Sequence, residues 1–125
     1  MPHTYAVTRG LAQALPLHGQ NQTTAFDKAC PGDAFVVGID GEASTGGLHD
    51  VTIHCAEILI TGSIGNFTLS YGLITTLTVD GNNSGAAYND LLTAPKIVDR
   101  YRGRSGAWVD AIGIGEADVQ LVLQP

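Results

Sequence analysis

Lys96-Ile97-Val98-Asp99-Arg100-Tyr101-Arg102-Gly103-Arg104-Ser105-Gly106-Ala107-Trp108-Val109-Asp110-Ala111-Ile112-Gly113-Ile114 is the stretch whose reading decides the fold. Taken as two extended runs, Lys96 to Arg102 and Trp108 to Ile114, it is a hairpin whose turn holds two glycines and a serine. Glycine admits positive φ and the close approach of another molecule, and serine bonds readily to nearby backbone. Such a turn can gather backbone N–H groups, an indole and the carboxylate of Asp110 around one shallow point. Neutral polyols, sugars above all, take that combination of donors, acceptor and apolar face. A plain turn uses the same residues, with Trp108 in the core and Asp110 bonded locally. The rival secondary structure is a helix over Asn89 to Arg102, with Thr93 as N-cap, Pro95 in the first turn and Gly103 as the stop.

An internal repeat decides for the strand. Gly19 and Gly81, Phe26 and Tyr88, and Gly41 and Gly103 are each 62 positions apart, while Asp50 and Asp110 are 60 apart. This spacing predicts two extra residues in the hairpin loop of the first copy. Both copies run from a polar loop through an aromatic and a proline-bearing turn into an extended run ending at glycine. The first copy is plainly strand-like. Phe35, Val37 and Ile39 alternate with Val36, Gly38 and Asp40, and Val51, Ile53 and Cys55 alternate with Thr52, His54 and Ala56 across the Ser44-Thr45-Gly46-Gly47 loop.

Working outward, Ile58 to Thr61 extends the return strand or starts another, and Phe67, Leu69 and Tyr71 alternate with Thr68 and Ser70. Gly72 is expected to break that strand before Leu73 to Val79, which is rich in β-formers. Asp80-Gly81-Asn82-Asn83-Ser84-Gly85 reads as a loop, Val119 to Leu123 as a closing strand, and Thr4 to Arg9 as a weaker one.

The 125 residues suit one domain, 1–125, with a single core. Sixteen glycines, 44% hydrophobic residues and few charges describe a β-rich globular chain with many tight turns. A net charge of −6 and the lack of a basic stripe exclude a nucleic-acid partner. No apolar run approaches the length of a membrane span, and no basic-then-apolar leader opens the sequence. The chain reads as cytoplasmic as written, or as secreted if a signal has been removed. Cys30 and Cys55 have no second metal-type pair near them, leaving a disulfide or two free thiols. His3, His18, His49 and His54 lack metal spacing, and no nucleophile–base pair or G-x-S-x-G elbow points to catalysis.

Gly103-Arg104-Ser105-Gly106-Ala107-Trp108-Val109-Asp110-Ala111-Ile112-Gly113 fills without a gap the G-R-S-G-x-x-x-D-A-I-G ending of the last hairpin in jacalin-related lectins. The chain resembles that family over roughly residues 16–60 and 77–115. The resemblance implies an all-β fold, a β-prism of three antiparallel Greek-key sheets, with a β-sandwich as the alternative. It implies a sugar site at Gly106, Ala107, Trp108 and Asp110, aided by the loop beginning at Gly81. There Asp110 would accept from two sugar hydroxyls, the N–H groups of Ala107 and Trp108 would donate, and Gly106 would keep the approach open.

Gly46-Gly47-Leu48-His49-Asp50 is a second G-x-x-x-D. It resembles the second site of two-site relatives, with Gly19 as its loop partner, and a degenerate repeat without ligand is the competing reading. Cys30-Pro31 with Cys55 resembles a bacterial-type variant of the hairpin in which these cysteines are bridged. The function implied is a non-catalytic, cofactor-free lectin that binds mono- or oligosaccharides and glycoconjugates and forms homo-oligomers. The alternative is a structural or protein-binding assembly module with a non-functional sugar site.

Overall fold

The structure, a computed structural model, describes residues 3–10, 13, 15, 28–44, 47–63, 65–79, 85–105 and 109–121. These form seven strands: β1 (His3–Ala6), β2 (Phe35–Ser44), β3 (Gly47–Ser63), β4 (Asn66–Val79), β5 (Ala86–Leu91), β6 (Lys96–Ser105) and β7 (Val109–Asp118). Every pairing is antiparallel, and no helix occurs among the described residues. The fold is all-β.

β3 is the longest strand, 17 residues, and organises the larger sheet. One of its edges is shared by β2, which pairs with Gly47 to Ala56, and by β1, which pairs with Leu59 to Gly62. β4 runs along the opposite edge for almost the whole length of β3, and β5 extends the sheet beyond β2. Gly72 does not end a strand. Instead Gly72 and Leu73 bulge opposite Glu57, between the Ala56↔Ile74 and Ile58↔Tyr71 pairs. An extra residue bends the strand that carries it, and the sheet curls where β3 passes from β2 to β1.

β6 and β7 form a separate two-stranded sheet against β2 and β3. The Tyr71 hydroxyl donates to the Lys96 carbonyl and ties β4 to β6. Burial, and then the negative charge of Glu116, raise the Tyr71 phenol above its usual pKa.

The strand read over Lys96 to Arg102 is present as part of β6, and the rival helix over Asn89 to Arg102 is absent: this span holds the end of β5, a turn and most of β6. Two other points of the sequence reading need correction. β5 escapes the sequence reading because Ala86-Ala87-Tyr88-Asn89-Asp90-Leu91 is an edge strand, exposed at every position but Tyr88, and so needs no apolar alternation. The closing strand expected at Val119 to Leu123 is not one over its described residues, since β7 ends at Asp118 and residues 119–121 are irregular.

Cys30 and Cys55 are joined by a disulfide, with Cα atoms 5.6 Å apart. Together with Ala34 they form a buried cluster on which Val36, Ile53 and Leu77 pack. Val37, Ile39, Ala56 and Ile58 complete the buried apolar set. The simple alternation expected over Phe35 to Asp40 fails at one point: a bulge between Val36 and Gly38 leaves Val37, Gly38 and Ile39 buried in succession.

The bridge closes a chain separation of 25 residues, so the chain-entropy model gives it about 3 kcal/mol of stability. A Cys30→Ala/Cys55→Ala variant should lose close to that amount in urea unfolding. Protein purified without reductant should show no titratable thiol.

Candidate functional site

Each of the two sequence copies builds one hairpin, β2–β3 and β6–β7. Both hairpins are irregular at the same two places. In the first, Val37 is the extra residue on the outgoing strand and His49 the extra residue on the return strand. In the second these positions fall to Asp99 and Asp110. Val37 and Asp99 are 62 positions apart, as the sequence repeat requires, whereas His49 and Asp110 are 61 apart. The first copy therefore carries one extra residue between its bulges, not two. His49, rather than Asp50, is the counterpart of Asp110, and Asp50 corresponds to Ala111 in the ladder.

This register gives Asp50 a structural post. It lies opposite Glu42, whose backbone N–H donates to its Oδ1 at 2.8 Å. Its carbonyl accepts from the Tyr88 hydroxyl at 3.0 Å. Tyr88 reaches it because Gly41 has no side chain: a Cβ there would lie 2.1 Å from the Asp50 carbonyl oxygen and 2.8 Å from the phenol oxygen. His49 holds the Ser44 hydroxyl at 2.7 Å, and His54 is paired with Asp40.

The carboxylates Asp40, Glu42, Asp50 and Asp90 make this end of the sheet strongly anionic, with measurable consequences. Glu42 is raised above the usual carboxyl range, first by its side-chain hydrogen bond with Asp50, then by burial and the charges of Asp50 and Asp40. The Tyr88 phenol is pushed up to about 12, first by burial and then by the charges of Asp50, Asp40, Glu42 and Asp90. No group of three or more carboxylate, histidine or cysteine side chains suited to a metal occurs among the described residues.

Of the residues expected to bind sugar, Gly106, Ala107, Trp108, Gly81, Gly46 and Gly19 lie outside the described residues, and for Leu48 and Asp110 the backbone alone is described. Asp110 is placed in β7 as the bulge residue, between the Arg104↔Ala111 and Ser105↔Val109 pairs. Of the loop that begins at Gly81, only its end at Gly85 is described. β5 pairs with β2, and Gly85 sits against the first hairpin. A Cβ on Gly85, whose φ is +95°, would fall 2.6 Å from the Ala43 carbonyl oxygen and 3.2 Å from the His49 ring. Only glycine combines that backbone with so close an approach. Tyr88 and Glu42 were missed as contributors. The repeat did mark Tyr88 as the counterpart of Phe26, but spacing says nothing of a hydroxyl reaching across a glycine.

Gly41→Ala should destabilise the protein by about 1–3 kcal/mol, because backbone must move to admit the methyl group. Tyr88→Phe should cost about 1 kcal/mol at neutral pH for the lost hydrogen bond to Asp50. The raised phenol also predicts a pH effect. A folded-state pKa of about 12 against an ordinary value of 10.0 favours the fold below pH 10 and loses that support as pH climbs through 12. Absorbance titration of native Tyr88→Phe should lack the latest-ionising phenol, and its stability should fall less steeply than that of wild type over that interval.

Comparison with known proteins returns no match to a family model, a curated protein or a solved structure, so the resemblance to jacalin-related lectins rests on the residues from Gly103 to Gly113 and on the repeat.

Proposed function

We propose that this is a non-catalytic carbohydrate-binding domain that takes sugar hydroxyls at the turn closing β6 and β7, on strands that belong to a β-prism. The observation that carries the reading is the bulge at Asp110, inside the sequence that fills the lectin ending from Gly103 to Gly113. A bulge leaves one residue out of the ladder and re-aims it, a device found beside binding and active sites. At such a place a carboxylate can accept two hydroxyl protons at once. The N–H groups of Ala107 and Trp108 complement it as donors, Gly106 leaves room, and the indole of Trp108 suits the C–H face of a pyranose.

The first hairpin supports the reading by contrast. Its bulge carries His49 in place of an acid, and the carboxylate of its nearby Asp50 is already engaged by the Glu42 N–H. One working turn per chain follows. Single-site affinity is then of order millimolar to tens of micromolar, raised when several chains present their turns together.

A glycan array identifies the ligand, and two variants then locate its site. Hydrogen bonds to a charged acceptor contribute about 1.5–3 kcal/mol, so Asp110→Asn should weaken sugar binding about ten- to a hundredfold with an unchanged melting temperature. Asp50→Asn should instead lower the melting temperature and leave the affinity as it was. A stability loss with intact binding in Asp110→Asn would remove the sugar from this turn. Failure of the wild type to bind any glycan would favour the assembly-module reading.

A further inference from the structure

A cleft lies between the segment from Lys28 to Val36 and the first half of β6, about 320 Å³ in volume. Its walls include Arg9, Lys28, Phe35, Ile97, Val98 and Tyr101. Three features set it apart in this molecule. Its described lining holds two cations and no carboxylate, with Asp33 held behind Arg9, in a chain whose net charge is −6, whereas the two clefts beside β7 both contain Asp90. One cation is fixed: the Arg9 guanidinium donates to the carbonyls of Cys30 and Gly32, both at 2.6 Å from Nη2, and its backbone N–H donates to Asp33. The other, Lys28, has an exposed side chain with no ion-pair partner among the described residues. Beside them stands Tyr101, which keeps 61% of its surface exposed although Ile97 and Val98 flank it.

We infer that this cleft binds a small organic anion built on a ring. The carboxylate goes to Lys28, with the fixed charge of Arg9 behind it, and the ring lies on Tyr101 and the apolar wall. The volume suits a molecule of one ring, at the small end of ligand cavities. An exposed aromatic beside an ammonium offers stacking surface and charge together. Tyr101 precedes Ser105 by four residues, about 13 Å along a strand, so the cleft and the hairpin turn are separate places. This site therefore stands or falls independently of the sugar reading.

Ring carboxylates come from two chemical sources, aromatic acids and uronic acids. Benzoate and D-glucuronate are the probes, with benzamide and D-glucose as their neutral counterparts. In a two-dimensional amide NMR titration, at least one acid should shift residues 28–36 and 97–101 with an affinity of order millimolar, and its neutral counterpart should not. Shifts there with glucuronate assign the site to acidic sugars, and shifts with benzoate alone assign it to aromatic acids. Lys28→Glu and Tyr101→Ala alter exposed side chains, and each should weaken the acid at least fivefold without lowering the melting temperature. The inference is overturned if neither acid shifts these residues at about 20 mM, if the neutral counterparts bind as well, or if both variants bind as tightly as wild type.

Discussion

The pairing of β2 with β3 is the constraint on which the other strands depend. β3 offers partners along both edges, and β2 passes the sheet on to β5. The Cys30–Cys55 bridge fastens the segment that leads into β2 to the middle of β3, and Val36, Ile53 and Leu77 gather around the sulfur atoms. Among the described residues, the buried apolar side chains come from this pair and its approach: Ala34, Val37 and Ile39 before the turn, Ala56 and Ile58 after it. In a small β domain a covalent tie replaces part of the apolar burial that a larger chain would supply.

Two hairpins with bulges at matching places are hard to explain except as a repeated unit. Bulges interrupt hydrogen bonding, and nothing in a generic hairpin requires two of them at a fixed separation. The copies then diverge in what the bulges hold. In the first, the outgoing bulge residue is Val37, fully buried, and the return residue is His49, engaged with Ser44. In the second both are aspartates, Asp99 and Asp110. The first copy places one bulge residue in the core and the other in a side-chain hydrogen bond, and the second has aspartates at the same two points.

The sequence made the strands legible wherever a face is buried. Phe35 to Asp40 and Val51 to Cys55 alternate because one side meets the core, and the repeat extended that reading to Lys96 to Arg102 against a competent helical pattern. It failed where burial does not dictate residue type. β5 is an exposed edge, and Gly72 reads as a breaker although a bulge lets the strand continue through it. The loop length was misjudged for a related reason. Two aspartates with the same apparent spacing were matched as equivalents, but only the ladder reveals that Asp50 is paired opposite Glu42 while Asp110 is unpaired. Identity at a position does not specify register, because a one-residue slip exchanges the faces of a strand.

Charge is distributed along this frame rather than scattered. The carboxylates of Asp40, Glu42, Asp50 and Asp90 collect where β2, β3 and β5 run together; Glu42 is raised there first by its hydrogen bond with Asp50 and Tyr88 first by burial, with the neighbouring charges adding to both. The backbone N–H of Glu42 eases the crowding by donating to the Asp50 carboxylate, while the Tyr88 hydroxyl holds the Asp50 backbone carbonyl. Arg9 and Lys28 stand instead beside the turn that carries Cys30, near the start of β2. Strand direction separates the two sets: β2 enters beside the cations and leaves among the acids. This polarity is what the proposed anion site beside Arg9 and Lys28 would use, whereas a neutral polyol would meet no such bias at either end.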